Sequence, residues 1–345
     1  QHLISKMRNP IDGGSRLAIV FNGSPLFTGD AGSGESEIRR WILEHDWLDA
    51  IVAMPDQLFY NTGINTYVWF LSNRKEKRRQ NKVQLIDARI FFEKMRKSLG
   101  NKRHVISDEN RAKILDLYNS FAENQYCKIF NTTDFAFRQI ITERPLKLNF
   151  QANAERLALL KETEKIKNDT PSKKKGAVGE TENQEWQNLR VGIYKTLETI
   201  GDKLYKNREE FLKLLEEKFK KAKLKVPAPL FKTIWQELSE RDETASVCLD
   251  GDGKPEPDSE LRDSENVPWG TDVYAYFKKE VLPFAPDAWI NESVRDHKDS
   301  EVGKVGYEIP FTRYFYKYVP PRDLAEIEGE IEGVENELLE MLKKL

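Results

Sequence analysis

Short apolar runs separated by polar turns occupy the first 90 residues of the chain. The run RLAIVF is continuous, which is typical of a strand buried on both faces of a parallel sheet. Three later runs are rich in aliphatic and β-branched residues and also predict strands. The four predicted strands lie at 16–21, 48–54, 65–72 and 83–88.

One helix is predicted between the first two strands, at residues 35–46. Ile38, Trp41 and Ile42 line one face of it. The preceding loop, GDAGSG, lacks the Gly-Lys-Ser/Thr of a phosphate-binding loop, and no strand leads directly into it. We therefore expect Ser33 or Gly34 to cap the helix.

A strand, a helix, a strand and then strands without a further helix indicate the far end of a doubly wound α/β sheet with an antiparallel addition. We assign residues 1–95 to this partial domain and expect its other strands to lie on the N-terminal side. Leu3, Ile4 and Met7 have helical spacing from the outset, and the chain does not begin with Met. The sequence thus predicts a truncated chain that enters its fold partway through a helix.

Residues 96–320 have a mainly helical pattern with extended segments. A strand pair is predicted within 134–150, around Arg144-Pro145, and an extended segment at 243–270. Val226-Pro227-Ala228-Pro229 is expected to end the longest helical stretch. Helices are predicted at 107–121, 152–167, 184–224 and 271–282.

The last 25 residues, 321–345, have the most regular pattern. Apolar residues follow one another at alternating steps of three and four, which makes an a/d seam of three heptads between glutamate-rich outer positions. We expect this helix to bind a partner helix; packing on its own domain remains the alternative. The seam consists of Leu324, Ile327, Ile331, Val334, Leu338, Met341 and Leu345.

Composition narrows the class of protein. The 345 residues are 39% hydrophobic and 32% charged, with a net charge of −2, so any contact with DNA uses local basic patches or is made mainly by a partner. There is no apolar run long enough to span a membrane and no signal-peptide core. Cys127 and Cys248 are expected to be reduced thiols in a cytoplasmic protein, and no metal site is expected.

Three basic clusters are candidate phosphate contacts: residues 74–79, residues 173–175 and a lysine-rich helix face from Lys213 to Lys225. Each is more often a solvated face, and the sequence does not rank them. Residues 250–253, DGDG, resemble the start of a calcium loop. The positions that need Gly and Glu are Pro255 and Leu261, so a turn is expected instead.

The loop DQLFYNTGINT, residues 56–66, lies between two predicted buried strands. Loops that follow strand ends in open α/β sheets bind ligands, and enzymes that modify a base stack it on aromatic side chains. Phe59 and Tyr60 supply such rings, and Gly63 permits a tight turn. Phe59 as ordinary core beneath a turn is the alternative from the residues alone.

Three stretches of the chain carry a family resemblance. SRLAIVFNGSPLFTGDAGSGESEIRRWILEHDWLDAIVAMPDQLFYNTGINTYVWFLSNRK resembles the segment that follows the catalytic motif in modification subunits of type I restriction-modification systems. DGKPEPDSELRDSENVPW and VGYEIPFTRYFYKYVPPRDLAEIEGEI resemble later segments of the same family. The resemblance covers most of the chain, with 150–245 the least distinctive part.

The resemblance implies an adenine-specific DNA methyltransferase that moves a methyl group from S-adenosylmethionine to N6 of adenine. It implies the C-terminal half of a Rossmann-like sheet followed by a mainly helical region that ends in a coiled-coil-like helix. The family's Phe-x-Gly-x-Gly and Asn-Pro-Pro-Phe motifs are absent from this sequence. We therefore expect the chain alone to be inactive and to bind no cofactor, with the catalytic motif upstream of residue 1 and the cofactor-binding residues unknown.

The family's late aromatic motif maps onto the loop, so Phe59 is expected to stack on the extruded adenine, with Tyr60 as the second choice and Asn61 and Thr62 lining the pocket. The implied partners are a specificity subunit, a second modification subunit, a restriction subunit and double-stranded DNA. The C-terminal seam would pack on the long helices of the specificity subunit. The alternative function is a non-enzymatic helical scaffold that binds only a partner protein.

Overall fold

A computed structural model of the chain describes residues 1–318 and 320–343. The strands, in chain order, are β1 (Arg16–Phe21), β2 (Leu48–Met54), β3 (Thr66–Ser72), β4 (Lys82–Asp87), β5 (Glu93–Leu99), β6 (Lys102–Val105), β7 (Cys127–Asn131), β8 (Ala136–Glu143), β9 (Leu148–Phe150), β10 (Ser239–Arg241), β11 (Asp263–Pro268), β12 (Trp289–Ile290) and β13 (Lys304–Tyr307). The α-helices are α1 (Gly34–Glu44), α2 (Asp108–Ser120), α3 (Ala154–Glu162), α4 (Glu164–Lys167), α5 (Ala177–Glu198), α6 (Arg208–Lys221), α7 (Ala228–Glu237), α8 (Val273–Tyr276), α9 (Phe311–Phe315) and α10 (Leu324–Leu342).

The chain forms two compact units. Unit 1 comprises Gln1–Phe137 and Val305–Leu345, and unit 2 comprises Arg138–Lys304. The limits of these units differ from the predicted domain boundaries at residues 95 and 320. The reason lies in unit 1, where β7 completes the first sheet and the segment from Val305 onward returns to the same hydrophobic core.

Unit 1 is built on a five-stranded mixed sheet with the order β1-β3-β2-β4-β7. β2 and β4 are parallel, whereas β1 and β2 are both antiparallel to the β3 strand between them. β1, β2 and β4 therefore run in one direction, and their carboxyl ends lie along the same edge of the sheet. The predicted mixed α/β class and antiparallel addition are confirmed.

Both faces of this sheet are covered. α1 and the segment 305–315 pack on one face, where Leu48, Leu85 and Phe311 are almost fully buried. α2 packs on the other face through Ile114 and Leu117. The Ser33 hydroxyl accepts a hydrogen bond from the Ser36 N–H and caps α1, which confirms the cap rather than a phosphate loop.

The prediction that β1 is buried on both faces is wrong. Its residues alternate between exposed and half-buried, and Val20 is 49% exposed. β1 pairs only with β3 within the described part of the chain, so it is an edge strand. A continuous apolar run does not distinguish a central strand from an edge strand, because strands of both kinds can consist of the same apolar residues.

The predicted N-terminal helix is also wrong. Two 3₁₀ turns, Ile4–Lys6 and Pro10–Asp12, take its place. Pro10 has no N–H with which to continue a helix. Gly13 and Gly14 follow with φ of +100° and +66°, which is the left-handed conformation expected of a terminating glycine pair.

Unit 2 is mixed, with helices α3–α7 around one apolar core. Phe150 and Phe211 stack at its centre with ring centroids 4.9 Å apart. The strands predicted at 134–150 exist, but they do not pair with each other: β8 pairs with β11 and β12, and β9 pairs with β10. Arg144-Pro145 therefore separates two sheets rather than forming a hairpin.

Helix α7 was not predicted. Val226-Pro227-Ala228-Pro229 appears in sequence to stop the preceding helix, yet Pro227 is the N-cap of α7 and Pro229 lies in its first turn. A proline in the first turn costs little because that N–H has no partner within the helix. The same two prolines thus begin a helix rather than extend a loop.

Helix α10 follows the predicted heptad segment, and every residue from Leu324 to Leu342 is exposed. Its seam residues range from Ile327, 37% exposed, to Leu324, 71% exposed. The last seam residue, Leu345, lies outside the described residues.

Candidate functional site

The loop between β2 and β3 leaves the carboxyl end of a strand whose residues are almost all buried. Gln57 takes a left-handed conformation with φ of 52°, and Phe59 forms a short antiparallel bridge with Thr62. The Asn65 side-chain amide donates to the Met54 carbonyl at 3.1 Å and closes the base of the loop. The loop is therefore a tight turn on a rigid support. The residue of this turn that has a positive φ is Gln57 rather than Gly63.

The four predicted base-pocket residues lie together at the tip of this loop. Phe59 is 39% exposed and Tyr60 is 65% exposed. Asn61 is exposed and Thr62 is half-buried. Both rings can therefore stack against a planar ligand without rearrangement of the core.

A β-hairpin formed by β5 and β6 lies against this loop. The Asn101 N–H donates to the Tyr60 carbonyl at 3.0 Å, and the Arg103 and His104 N–H groups donate to the Gln57 carbonyl at 2.9 and 3.1 Å. Gly100 has φ of +63°, and a Cβ there would lie 2.7 Å from the Tyr60 oxygen. The hairpin thus fixes the backbone that carries the aromatic pair.

His104 joins the base of the hairpin to the start of the loop. Its Nδ1 lies 3.0 Å from both the backbone carbonyl and the carboxylate of Asp56. The imidazole is buried and stacks on Phe92 with centroids 3.8 Å apart. An open cavity of about 650 Å³ beside these residues is lined by both polar and basic side chains.

The hairpin was missed in the sequence because its strands are charged rather than apolar. Their alternation carries no hydrophobic signal, and only the turn at Gly100-Asn101 marks the reversal. A search for short basic segments around a Gly-Asn turn would have found it.

The basic cluster at 74–79 is mostly occupied by intramolecular ion pairs. Lys75 contacts Asp46 at 2.5 Å, and burial lowers the pKa of its ammonium group. Arg79 is 3% exposed and contacts Asp49 at 3.3 Å. Its guanidinium lies 4.1 Å from the Tyr118 ring centroid. Arg79 therefore holds the sheet to α2, whereas Arg74, Lys77 and Arg78 are exposed.

The remaining motifs have structural explanations. The Asp250 carboxylate accepts from the N–H groups of Asp252 and Lys254 at 2.9 Å, and Gly253 has φ of +75°, so residues 250–253 form the expected turn. Cys127 and Cys248 are free and buried, and burial raises the pKa of both thiols. Across residues 1–318 and 320–343, no group of metal-ligating side chains is found. Among the described helices, none is long and apolar enough to cross a membrane.

The family model for N-6 DNA methylase matches residues 1–152. Residues 1–152 are therefore similar to N-6 DNA methylases, and we call them the methylase segment. The methylase segment contains the whole five-stranded sheet, the aromatic loop and the β5–β6 hairpin.

Individual relatives agree with this family. The chain is 31% identical over 106 residues to the methylase subunit of the type I restriction enzyme MjaIX from Methanocaldococcus jannaschii, covering 31% of this chain and 18% of that subunit. It is 44% identical over 57 residues to the HindI methylase subunit from Haemophilus influenzae, covering 16% of this chain and 12% of that subunit. The resemblance to type I methylase subunits is confirmed, and each match spans less than a fifth of the relative.

Among solved structures, the type I restriction-modification methyltransferase subunit from Streptococcus thermophilus is 28% identical to the chain where the two align. The alignment covers 35% of this chain and 24% of that subunit, with a TM-score of 0.30.

Proposed function

We propose that the chain is part of a type I modification subunit that transfers a methyl group from S-adenosylmethionine to N6 of adenine in DNA. The observation that carries this proposal is the placement of Phe59 and Tyr60. Both rings are exposed on a backbone-anchored loop at the carboxyl edge of the sheet, inside the methylase segment. Open α/β sheets bind their ligands along this edge.

The five-stranded sheet is proposed to be the C-terminal half of a Rossmann-like methyltransferase domain. β3 lies antiparallel between β1 and β2, and the outer edge of β1 forms no ladder in the described part of the chain. An exposed edge of this kind is a template for a further strand. The missing half of the sheet would add there.

Phe59 is proposed to stack on the extruded adenine. A flipped base loses its stacking neighbours in the duplex, and an aromatic ring restores part of that energy. Tyr60 is more exposed and is the second choice, whereas Asn61 and Thr62 place an amide and a hydroxyl beside the same surface.

The chain by itself is proposed to be inactive and not to retain S-adenosylmethionine. Its residues do not fit that cofactor: the sequence has neither Phe-x-Gly-x-Gly nor Asn-Pro-Pro-Phe. The glycine-rich loop at 29–34 instead caps α1 with Ser33, next to the carboxylates of Glu35 and Glu37. The chain therefore lacks the family motif whose side-chain amide and backbone carbonyl would accept hydrogen bonds from the target amine.

The exposed seam of α10 supports a partner-binding role. Its apolar stripe repeats over most of three heptads and is exposed along its whole described length, which a lone helix would not maintain without a partner. We propose that it packs on helices of a specificity subunit. The assembly would also include a second modification subunit, a restriction subunit and double-stranded DNA, in the cytoplasm. A scaffold without enzymatic activity would use the same helix, so α10 alone does not discriminate between the two functions.

A reconstitution experiment separates these roles. The full-length subunit is combined with its specificity subunit, and methyl transfer to a cognate duplex is measured. Phe59→Ala should leave the assembly intact and lower kcat/KM by about 5- to 150-fold, since base stacking contributes about 1–3 kcal/mol. Phe284→Ala is the matched control, because Phe284 is 87% exposed and lies in unit 2.

Removal of residues 322–345 should instead abolish co-purification with the specificity subunit. An unchanged methylation rate in Phe59→Ala contradicts the base-stacking role. Retained co-purification after the deletion contradicts the role of α10.

A further inference from the structure

The β5–β6 hairpin concentrates positive charge beside the aromatic loop. Residues 93–105 contain five basic side chains and one acidic side chain, in a protein whose net charge is −2. Four of the basic side chains are exposed, and the fifth is half-buried. They are Lys94, Arg96, Lys97, Lys102 and Arg103.

In the part of the chain that the structure describes, none of these five side chains forms an ion pair within 4.0 Å. The Lys102 ammonium instead lies 5.4 Å from the Tyr60 ring centroid. An exposed, unpaired cationic hairpin costs self-repulsion in the free protein and is suited to a polyanionic ligand.

The neighbouring groups indicate which polyanion fits. Tyr60 is exposed beside Lys102 of the hairpin, and Phe59 and Ile64 are exposed in the same loop. Basic side chains that alternate with aromatic rings are typical of nucleic-acid surfaces, where cations contact phosphates and rings contact bases. The hairpin carries one large exposed aliphatic residue, Leu99, too little for an apolar membrane-inserting face.

We propose that the β5–β6 hairpin binds the phosphodiester backbone of duplex DNA next to the base held by the aromatic loop. This inference rests on the proposed function and adds to it a phosphate-binding element. The hairpin N–H groups at Asn101, Arg103 and His104 bind the loop carbonyls of Tyr60 and Gln57. Phosphate contacts on the hairpin therefore set the position of the loop relative to the strand.

The test measures binding of the full chain to a fluorescein-labelled duplex of about 25 base pairs by anisotropy, across about 50 to 200 mM KCl. The variant Lys94→Gln/Arg96→Gln/Lys97→Gln removes three exposed charges from the hairpin. The matched control, Lys195→Gln/Lys254→Gln/Lys278→Gln, removes three exposed charges from unit 2, outside the three basic clusters of the sequence. Circular dichroism verifies that both variants are folded.

The hairpin variant should bind about tenfold more weakly or worse, and the slope of log K against log salt should become shallower by about 2 to 3, since each lost phosphate contact removes about 0.9. The control variant in unit 2 should keep the wild-type slope. Equal slopes for the hairpin variant and wild type overturn the inference, as does absence of duplex binding by wild type at low salt.

Two alternative ligands are separate outcomes. Tighter binding to a single-stranded RNA of the same length would overturn the assignment to duplex DNA. A change in sedimentation of the hairpin variant without DNA would assign the hairpin to self-association instead. The binding assay involves no methyl transfer. A negative result in it is therefore distinguishable from a negative result in the Phe59→Ala methylation experiment.

Discussion

Two basic segments of unit 1 have similar composition and differ in ion pairing. Residues 74–79 and residues 94–103 each contain five Lys or Arg side chains. In the first segment, the Lys75 and Arg79 side chains are buried against carboxylates, and the other three are exposed. In the second, no ion pair is found within the described residues, and most of the side chains face solvent. Burial and pairing, rather than the density of charge, separate a structural cluster from a candidate ligand surface.

The largest expected effect is on stability and belongs to the first segment. Arg79→Met leaves Asp49 buried without its cation, so the free energy of unfolding should fall by about 3–5 kcal/mol. The hairpin variant Lys94→Gln/Arg96→Gln/Lys97→Gln should change it by no more than about 0.5 kcal/mol. Urea denaturation of the two proteins provides the comparison, and similar losses in both would remove the distinction between the segments.

The next effect tests the connection between the hairpin and the loop. Gly100→Ala places a Cβ against the Tyr60 carbonyl at a left-handed φ, which should cost about 1–3 kcal/mol. Gly63→Ala is the control in the same region, because nothing lies within 4 Å of its Cβ position. Amide exchange at residues 57–60 should accelerate only in Gly100→Ala. Equal exchange in the two variants would show that the hairpin does not fix the loop.

The smallest effect depends on pH. Burial, with the hydrogen bond to Asp49, raises the pKa of Tyr118 from 10.0 to about 12. The folded state thus favours the neutral phenol. The contribution of this phenol to the free energy of unfolding is present below pH 10 and is lost as pH rises toward 12. Over this pH interval, the free energy of unfolding should fall by about 1–2 kcal/mol more in the wild type than in Tyr118→Phe. Parallel urea midpoints for the two proteins between these pH values would contradict the raised pKa.

The sequence predicted four of the five strands of the sheet, β1 to β4, and the loop between β2 and β3, because continuous apolar runs carry a direct signal, whereas β7 was not predicted. Charge pairing could not be predicted, since Asp49 and Arg79 are distant in sequence and meet only through the packing of β2. The exposure of β1 and the separation of β8 from β9 depend on which strands pair, which a local pattern does not specify. The base-pocket residues were chosen through the family resemblance, and their roles remain predictions.

The β5–β6 hairpin illustrates a second limit of prediction from the sequence. A strand without an apolar face has no period-2 hydrophobic signal, and Lys94, Arg96 and Lys97 resemble a solvated loop in sequence. Its backbone contacts with Gln57 and Tyr60 emerge only in three dimensions.

The most direct test of the central claim replaces the target adenine with 5-iodouracil in a duplex bound to the assembled full-length subunit. Irradiation joins this base to an aromatic ring stacked on it, and mass spectrometry locates the adduct. The account predicts an adduct on the peptide that contains residues 56–66, at Phe59 or secondarily at Tyr60, and its loss or shift in Phe59→Ala. An adduct found only elsewhere in the subunit would contradict the assignment of the aromatic loop to the target base.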